Sequence, residues 1–108
     1  ALTDAYTPLE NPDALDSLLT LETLRQLSPR DLRILRNMVR ARHGATFRAQ
    51  SLRDYFEPAD WYHPDTAYND ARLTRVDRQN IRLIQTVEAE FGGPMTEAQV
   101  REEDLSGA

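Results

Sequence analysis

An all-α fold is what these 108 residues predict: a small orthogonal bundle of about four helices carrying one long, aromatic-anchored loop. Three observations carry the prediction. Apolar residues recur at three- and four-residue intervals in every extended apolar segment, which is the spacing of one helix face. Two segments open on helix-start signals, Ser28-Pro29 and Thr74-Arg75-Val76-Asp77. No segment alternates apolar and polar residues over the length of a strand. A chain of this size buries roughly 65% of the surface its unfolded form exposes, so one core without staples suffices and one domain is expected.

The elements follow in order. Residues 1–12 hold Pro8, Asn11 and Pro12 and read as an extended arm. From Asp13 a helical pattern runs through Leu15, Leu18, Leu19, Leu21 and Leu24 to Leu27, with Thr20 offering a second start that would divide it in two. Ser28 then caps a helix with Pro29 in its first position and Asp31 in its third, running to Gly44, whose missing Cβ suits a left-handed stop. Leu32, Leu35 and Val39 form one stripe on it, and Ile34, Met38 and Ala41 a second beside the first. So wide an apolar face places this helix at the centre of the core. Phe47 is expected to plug its end. Ser51 to Glu57 reads as a short helix with Leu52, Tyr55 and Phe56 inward, stopped by Pro58. Residues 58–72 form the long loop, held by Trp61, Tyr62 and Tyr68. Thr74 with Asp77 makes a capping box, and the last long helix buries Val76, Ile81, Ile84, Val87 and Phe91 before Gly92-Gly93-Pro94. The domain therefore spans 13–93. Residues 94–108 make an acidic C-terminal tail, in which Thr96 to Asp104 allows another turn or two.

The net charge of −5 is unevenly spread. Residues 25–82 carry twelve of the thirteen arginines against seven acids, while residues 1–24 and 83–108 are each acidic by five. Either the ends fold back and neutralise the centre, or the centre meets an anionic partner. Every base is arginine and none is lysine, a usage that a GC-rich genome explains. The absence of cysteine excludes a disulfide framework and thiolate chemistry, and leaves the compartment open. No run is long enough to span a bilayer, and no signal-peptide pattern is present. The initial alanine reads as the start of a processed product or a fragment.

Candidate chemistry gathers on the Ser28–Gly44 helix. Arg36, Arg40 and His43 share a face by spacings of four and three, with Arg33 one turn earlier. Together with Trp61 and Tyr62 they are the candidate ligand contacts, since arginine forks and aromatic faces hold anions, sugars and carboxylates. The competing reading puts the aromatics in the core, with Trp61 as a plug and Tyr62 over the helix. Arg42 points towards Met38 and Val39, so it should be partly buried and paired with backbone carbonyls at a helix end or with a carboxylate, the candidates being Asp54, Asp60, Asp65 and Asp77. Asn37 and Asn80 are expected to clasp the 58–72 loop from two sides as a fold lock. His43 admits structural, ligand-binding, catalytic and metal readings, the structural one leading. His63 is the one other histidine, no HxxxH or HExxH spacing occurs, and no metal or cofactor is expected. There is no nucleophile arrangement or glycine-rich phosphate loop. Glu102-Glu103-Asp104 is either solvated or an arm docking on the arginine face.

The run Asn37-Met38-Val39-Arg40-Ala41-Arg42-His43-Gly44, continued by Phe47, Leu52, Tyr55-Phe56, Trp61-Tyr62, Leu73, Asn80-Ile81 and Ile84, resembles the YARHG domain of bacterial proteins. Arg40 stands where the family name has tyrosine, so an aromatic contact there is lost. The resemblance runs from Leu32 to Ile84. It implies an extracytoplasmic module of the cell envelope with no established reaction, in which Asn37, Arg42, Gly44, Tyr55, Phe56 and Asn80 are structural. The expected function is a non-catalytic binding or accessory module that contacts cell-wall glycan or peptide. The alternative is a protein–protein or assembly module using the basic centre and acidic arms. Catalysis through His43 lacks a second catalytic group. Nucleic-acid binding is opposed by the acidic total and by the broad apolar face of the arginine helix.

Overall fold

A computed structural model describes residues 9–106; most of the expected N-terminal arm, and the last two residues of the tail, lie outside the described residues. Helices alone make up the regular structure there. A 3-10 turn, Pro12–Asp16, precedes helix α1, Leu21–Leu24. Then come α2, Pro29–Ala41, and α3, Gln50–Phe56. A second 3-10 turn, Asp70–Arg72, leads to α4, Arg75–Glu90, and α5 closes the order at Glu97–Ser106. No helix of the described residues is long and apolar enough to cross a membrane.

The two cap signals act as read. Ser28 Oγ accepts the Asp31 N–H at 3.1 Å, and Pro29 fills the first helical position of α2. At α4 the box is reciprocal: Thr74 Oγ1 accepts from Asp77 N at 3.1 Å, and Asp77 Oδ2 accepts from Thr74 N at 2.8 Å. These two long helices are the principal packed pair. Leu32, Leu35, Met38, Val39 and Ala41 from α2 meet Ile81, Ile84 and Val87 from α4, with Leu15, Leu24, Leu52, Phe56 and Tyr62 around them. Full burial of each such Leu or Ile contributes roughly 1.5–3 kcal/mol, so this α2–α4 seam is where the fold gets most of its stabilisation.

The segment before α2 divides at Thr20, the second start that the sequence offers. It breaks into the 3-10 turn and the single turn of α1, where Thr20 Oγ1 accepts from Thr23 N. Asn80, fully buried on α4, holds the broken segment in place. Its Oδ1 accepts from Leu19 N at 2.8 Å, and its Nδ2 donates to Ser17 O at 3.0 Å and towards Leu15 O at 3.4 Å. Those long-range bonds occupy backbone groups a continuous helix would use, and Leu18 is left 59% exposed. Asn80 therefore clasps residues 15–19 and not the 58–72 loop. Asn37 does not reach the loop either: its Nδ2 donates to Arg33 O one turn back at 2.8 Å.

Two aromatic expectations also change. Tyr55 is 40% exposed, because a helix of two turns has room for one buried stripe and Leu52 with Phe56 takes it. Phe91 is half exposed as the C-cap of α4, one residue past the helical stripe. Tyr62 is buried, whereas Trp61 is partly buried at the edge of the core, edge-on to Phe56.

Candidate functional site

The C-terminal end of α2 is where the motif does its structural part. The helix stops at Ala41, before the expected Gly44, and a tightened turn follows, with His43 N donating to Arg40 O and Gly44 N to Ala41 O, both at 3.0 Å. Gly44 then adopts φ +97°, a conformation that suits glycine. The turn exposes three successive carbonyls, and the long loop binds all three. Arg72 Nη1 donates to His43 O at 3.0 Å, Asp65 N to Gly44 O at 2.8 Å, and the Tyr62 hydroxyl to Ala45 O at 2.6 Å. A Cβ on Gly44 would stand 3.2 Å from both Asp65 Cβ and His63 O, so the loop packs into the space a side chain would need.

The cations of α2 are each met by a carboxylate. Arg33 Nη2 bonds Glu97 at 2.9 Å, Arg36 Nε bonds Glu88 at 2.8 Å, and Arg40 Nε reaches Asp70 at 3.4 Å. Arg42 pairs with Asp16, which is none of the four partners expected for it; the break before α1 carries that acid to the helix end. His43 Nε2 lies 2.7 Å from Asp77 Oδ2, the same oxygen that caps α4. Arg36, Arg40 and His43 do share one face, and that face is turned to α4 and to the loop before it. Trp61 and Tyr62 lie with Phe47 and Phe56 in an aromatic cluster beyond the helix end.

Several partners were not picked out from sequence. Glu88 is 1% exposed. Its signal was available, since it stands four residues after Ile84 and seven after Ile81, inside the apolar stripe of α4. Asp77 is readable as the acid of the capping box and as a possible partner for Arg42, but not as the partner of His43. Asp16, Ser51 and Glu97 carry no local signal, because their partners are distant in the chain.

The acidic ends fold back on the basic centre. Ion pairs Arg25–Glu90, Arg30–Glu103, Arg30–Asp104, Arg33–Glu97, Arg36–Glu88 and Arg42–Asp16 all join a central arginine to a terminal acid. Within the loop, Asp65 is held below the usual carboxylate range by the Ala67 N–H and by Arg72. Asp70 is held low by the Tyr68 hydroxyl and then Arg40, and Tyr68 is pushed up to about 12 by burial and by that same bond. Burial raises Glu97, but the bonds from Ser51 and Arg33 outweigh it and the net shift is downward.

Six arginines have no carboxylate partner among the described residues, and three of them, Arg75, Arg78 and Arg82, stand in a row on one helix. Arg75, Arg78 and Arg82 are exposed along the outer face of α4, and none has a carboxylate of the described residues within 4.0 Å. Arg78 donates to the Asp70 carbonyl at 2.8 Å and its charge also helps to hold the Asp70 carboxyl low, while Arg82 contacts Gln79 at 3.4 Å. Among the described residues no cluster of His, Asp and Glu is arranged to hold a metal ion.

The motif residues thus knit two helices and a loop into one helical module with a basic outer surface on α4. The chain belongs to the YARHG domain family, whose domain model matches residues 7–89. The match reaches beyond the Leu32–Ile84 span of the sequence resemblance at both ends, and so takes in the segment that Asn80 clasps. The chain is also similar to a crystal structure from Legionella pneumophila subsp. pneumophila str. Philadelphia 1 described as a "putative nutrient binding protein". The two share 34% identity with a TM-score of 0.61 over 68% of this chain and 23% of that one. The chain thus spans about a quarter of that protein's length. It matches no curated protein.

Proposed function

We propose that the chain is a non-catalytic binding module of the bacterial cell envelope that meets an anionic wall polymer through the outer face of α4. The carrying observation is the distribution of uncancelled charge. Arg36, Arg40 and His43 are engaged by Glu88, Asp70 and Asp77, and Tyr62 is buried. Each of the three charged groups already faces a carboxylate of the fold. Arg75, Arg78 and Arg82, by contrast, present three guanidinium forks over roughly 10 Å of helix, open to solvent. Planar forks grip phosphate and carboxylate oxygens in pairs, so a row of them suits a repeating anion. The envelope setting is supported by the family resemblance, and a binding role is in keeping with the description of the Legionella protein. The assembly alternative has less support, because the acidic ends already meet central arginines within one chain.

The test is retention on cell-wall sacculi that carry anionic polymer and on sacculi stripped of it. Wild type should be retained by the first, less so in high salt, and not by the second. An Arg75→Gln/Arg78→Gln/Arg82→Gln variant should be lost from both with its melting temperature unchanged. Retention of that variant at the wild-type level would refute the proposal. Loss of retention in Arg40→Ala at unchanged melting temperature would return the ligand to the motif helix.

A further inference from the structure

Helix α5 is attached to the domain unlike any other element. One apolar side chain on it, Val100, is fully buried, and it lies outside the main core cluster. Leu105, a turn and a half on, is 81% exposed. Open space flanks the helix on both sides. A cavity of ≈ 230 Å³ lies between Arg30, Arg33, Ser51, Tyr55 and Val100, and a cleft of ≈ 270 Å³ between Gln50, Asp54, Arg101 and Leu105. The connection to α4 is Gly92-Gly93-Pro94, with both glycines at positive φ and nothing within 4 Å of a Cβ at either. The family match ends at residue 89, before this connection begins.

What holds α5 is mainly one carboxylate. Glu97 Oε2 accepts the Ser51 N–H at 3.0 Å; Oε1 accepts the Ser51 hydroxyl and Arg33 Nη2, the latter at 2.9 Å. The Arg33 side chain is 9% exposed, and its Nη1 is fixed on Ser51 Oγ at 2.9 Å. A buried guanidinium with a locked orientation, an amide and a hydroxyl therefore converge on a single carboxylate. Further along, Arg30 takes Asp104 at 2.8 Å and Glu103 at 3.3 Å in exposed pairs, which add little grip.

We propose that Arg33 and Ser51, with Arg30 at the rim, form a recognition site for an acidic helical segment of a partner protein, and that α5 is a tethered occupant closing it. The occupant already seated defines the partner's chemistry. It is a glutamate for the Arg33–Ser51 cradle, an aliphatic residue three positions later for the slot under Val100, and acids one further turn on for Arg30. This site is separate from the outer face of α4, so neither reading depends on the other.

The experiment uses the full chain, with α5 released by Glu97→Ala/Val100→Ser, and a labelled synthetic peptide of residues 94–108 as the probe. The released chain should keep its cooperative thermal transition and bind the peptide. Wild type should bind it at least roughly tenfold more weakly, because a tethered competitor acts at an effective concentration in the millimolar range. Adding Arg33→Met to the released chain, or Glu97→Gln to the peptide, should abolish binding. Loss of the cooperative transition on release would overturn the proposal by making α5 an integral part of the fold. So would a folded released chain that ignores the peptide, or one that binds the Glu97→Gln peptide equally well.

Discussion

Arg36→Ala should be among the costlier single substitutions in this domain. Glu88 is 1% exposed; its Oε1 accepts from Arg36 Nε at 2.8 Å, and its Oε2 has no donor among the described residues. Removing the arginine leaves a carboxylate out of water with no hydrogen bond. Breaking a buried pair from one side costs about 3–5 kcal/mol. Arg36 is itself 18% exposed, so water can enter the truncated site, and the lower figure, about 3 kcal/mol, is the one to expect. For a domain near this length each kcal/mol moves the melting temperature by about 4 °C, giving a fall of about 12 °C. Urea unfolding should show the same loss at an unchanged m-value, since the surface exposed on unfolding is the same. The matched control is Arg36→Met/Glu88→Leu, which removes both charges while keeping volume and should return to within about 1 kcal/mol of wild type. A cost below about 1 kcal/mol for Arg36→Ala, or a double variant no better than the single, would refute the argument that the buried carboxylate sets the magnitude.

Gly44→Ala should destabilise by about 2 kcal/mol or more, adding contacts of 3.2 Å with Asp65 and the His63 carbonyl to an unfavourable φ. Gly92→Ala, with φ +94° and open space around it, should cost about 1 kcal/mol, and equal costs for the two would exclude a role for loop packing at Gly44. In acid, Asp65, Asp70, Glu90 and Glu97, all held low in the fold, contribute stability that is complete above the ordinary carboxylate values of 3.8 and 4.5 and is lost as pH falls through their lower folded values. In alkali, the stability linked to Tyr68 is complete below pH 10 and lost as pH rises towards about 12. Denaturant midpoints across pH check both limbs; a flat acid limb contradicts the assigned pairs, and a Tyr68→Phe variant with an unaltered alkaline limb contradicts the tyrosine.

What was legible in the sequence was local. Ser28-Pro29 and Thr74 with Asp77 are contained within one helical turn, so their geometry is set by the residues that announce them. The apolar stripes of α2 and α4 were legible for the same reason, since a period is a property of a single helix. The partners were not. That Arg42 meets Asp16 depends on where the chain before α1 is held, and Asn80, more than sixty residues away, holds it. Trp61 and Tyr62 sit in a loop, where no periodicity says which ring turns inward; the Ala45 carbonyl decides in favour of Tyr62. The split of charge between centre and ends was visible, and the fold resolves it as internal pairing. That Arg75, Arg78 and Arg82 would stand together on one helix face among the arginines without a carboxylate became clear only once the pairs were assigned.

A single carboxylate at Asp77 caps the start of α4 and holds His43 at the exit of α2, where the next two residues anchor the loop. Opening any one of these therefore removes a hydrogen-bond partner from the others. The backbone amides of Asp65, in the loop, and of Thr74 and Asp77, at the start of α4, belong to two different stretches of chain, yet their exchange with solvent should be limited by one shared opening event. Such coupling should make the loop open only together with the exit of α2 and the start of α4.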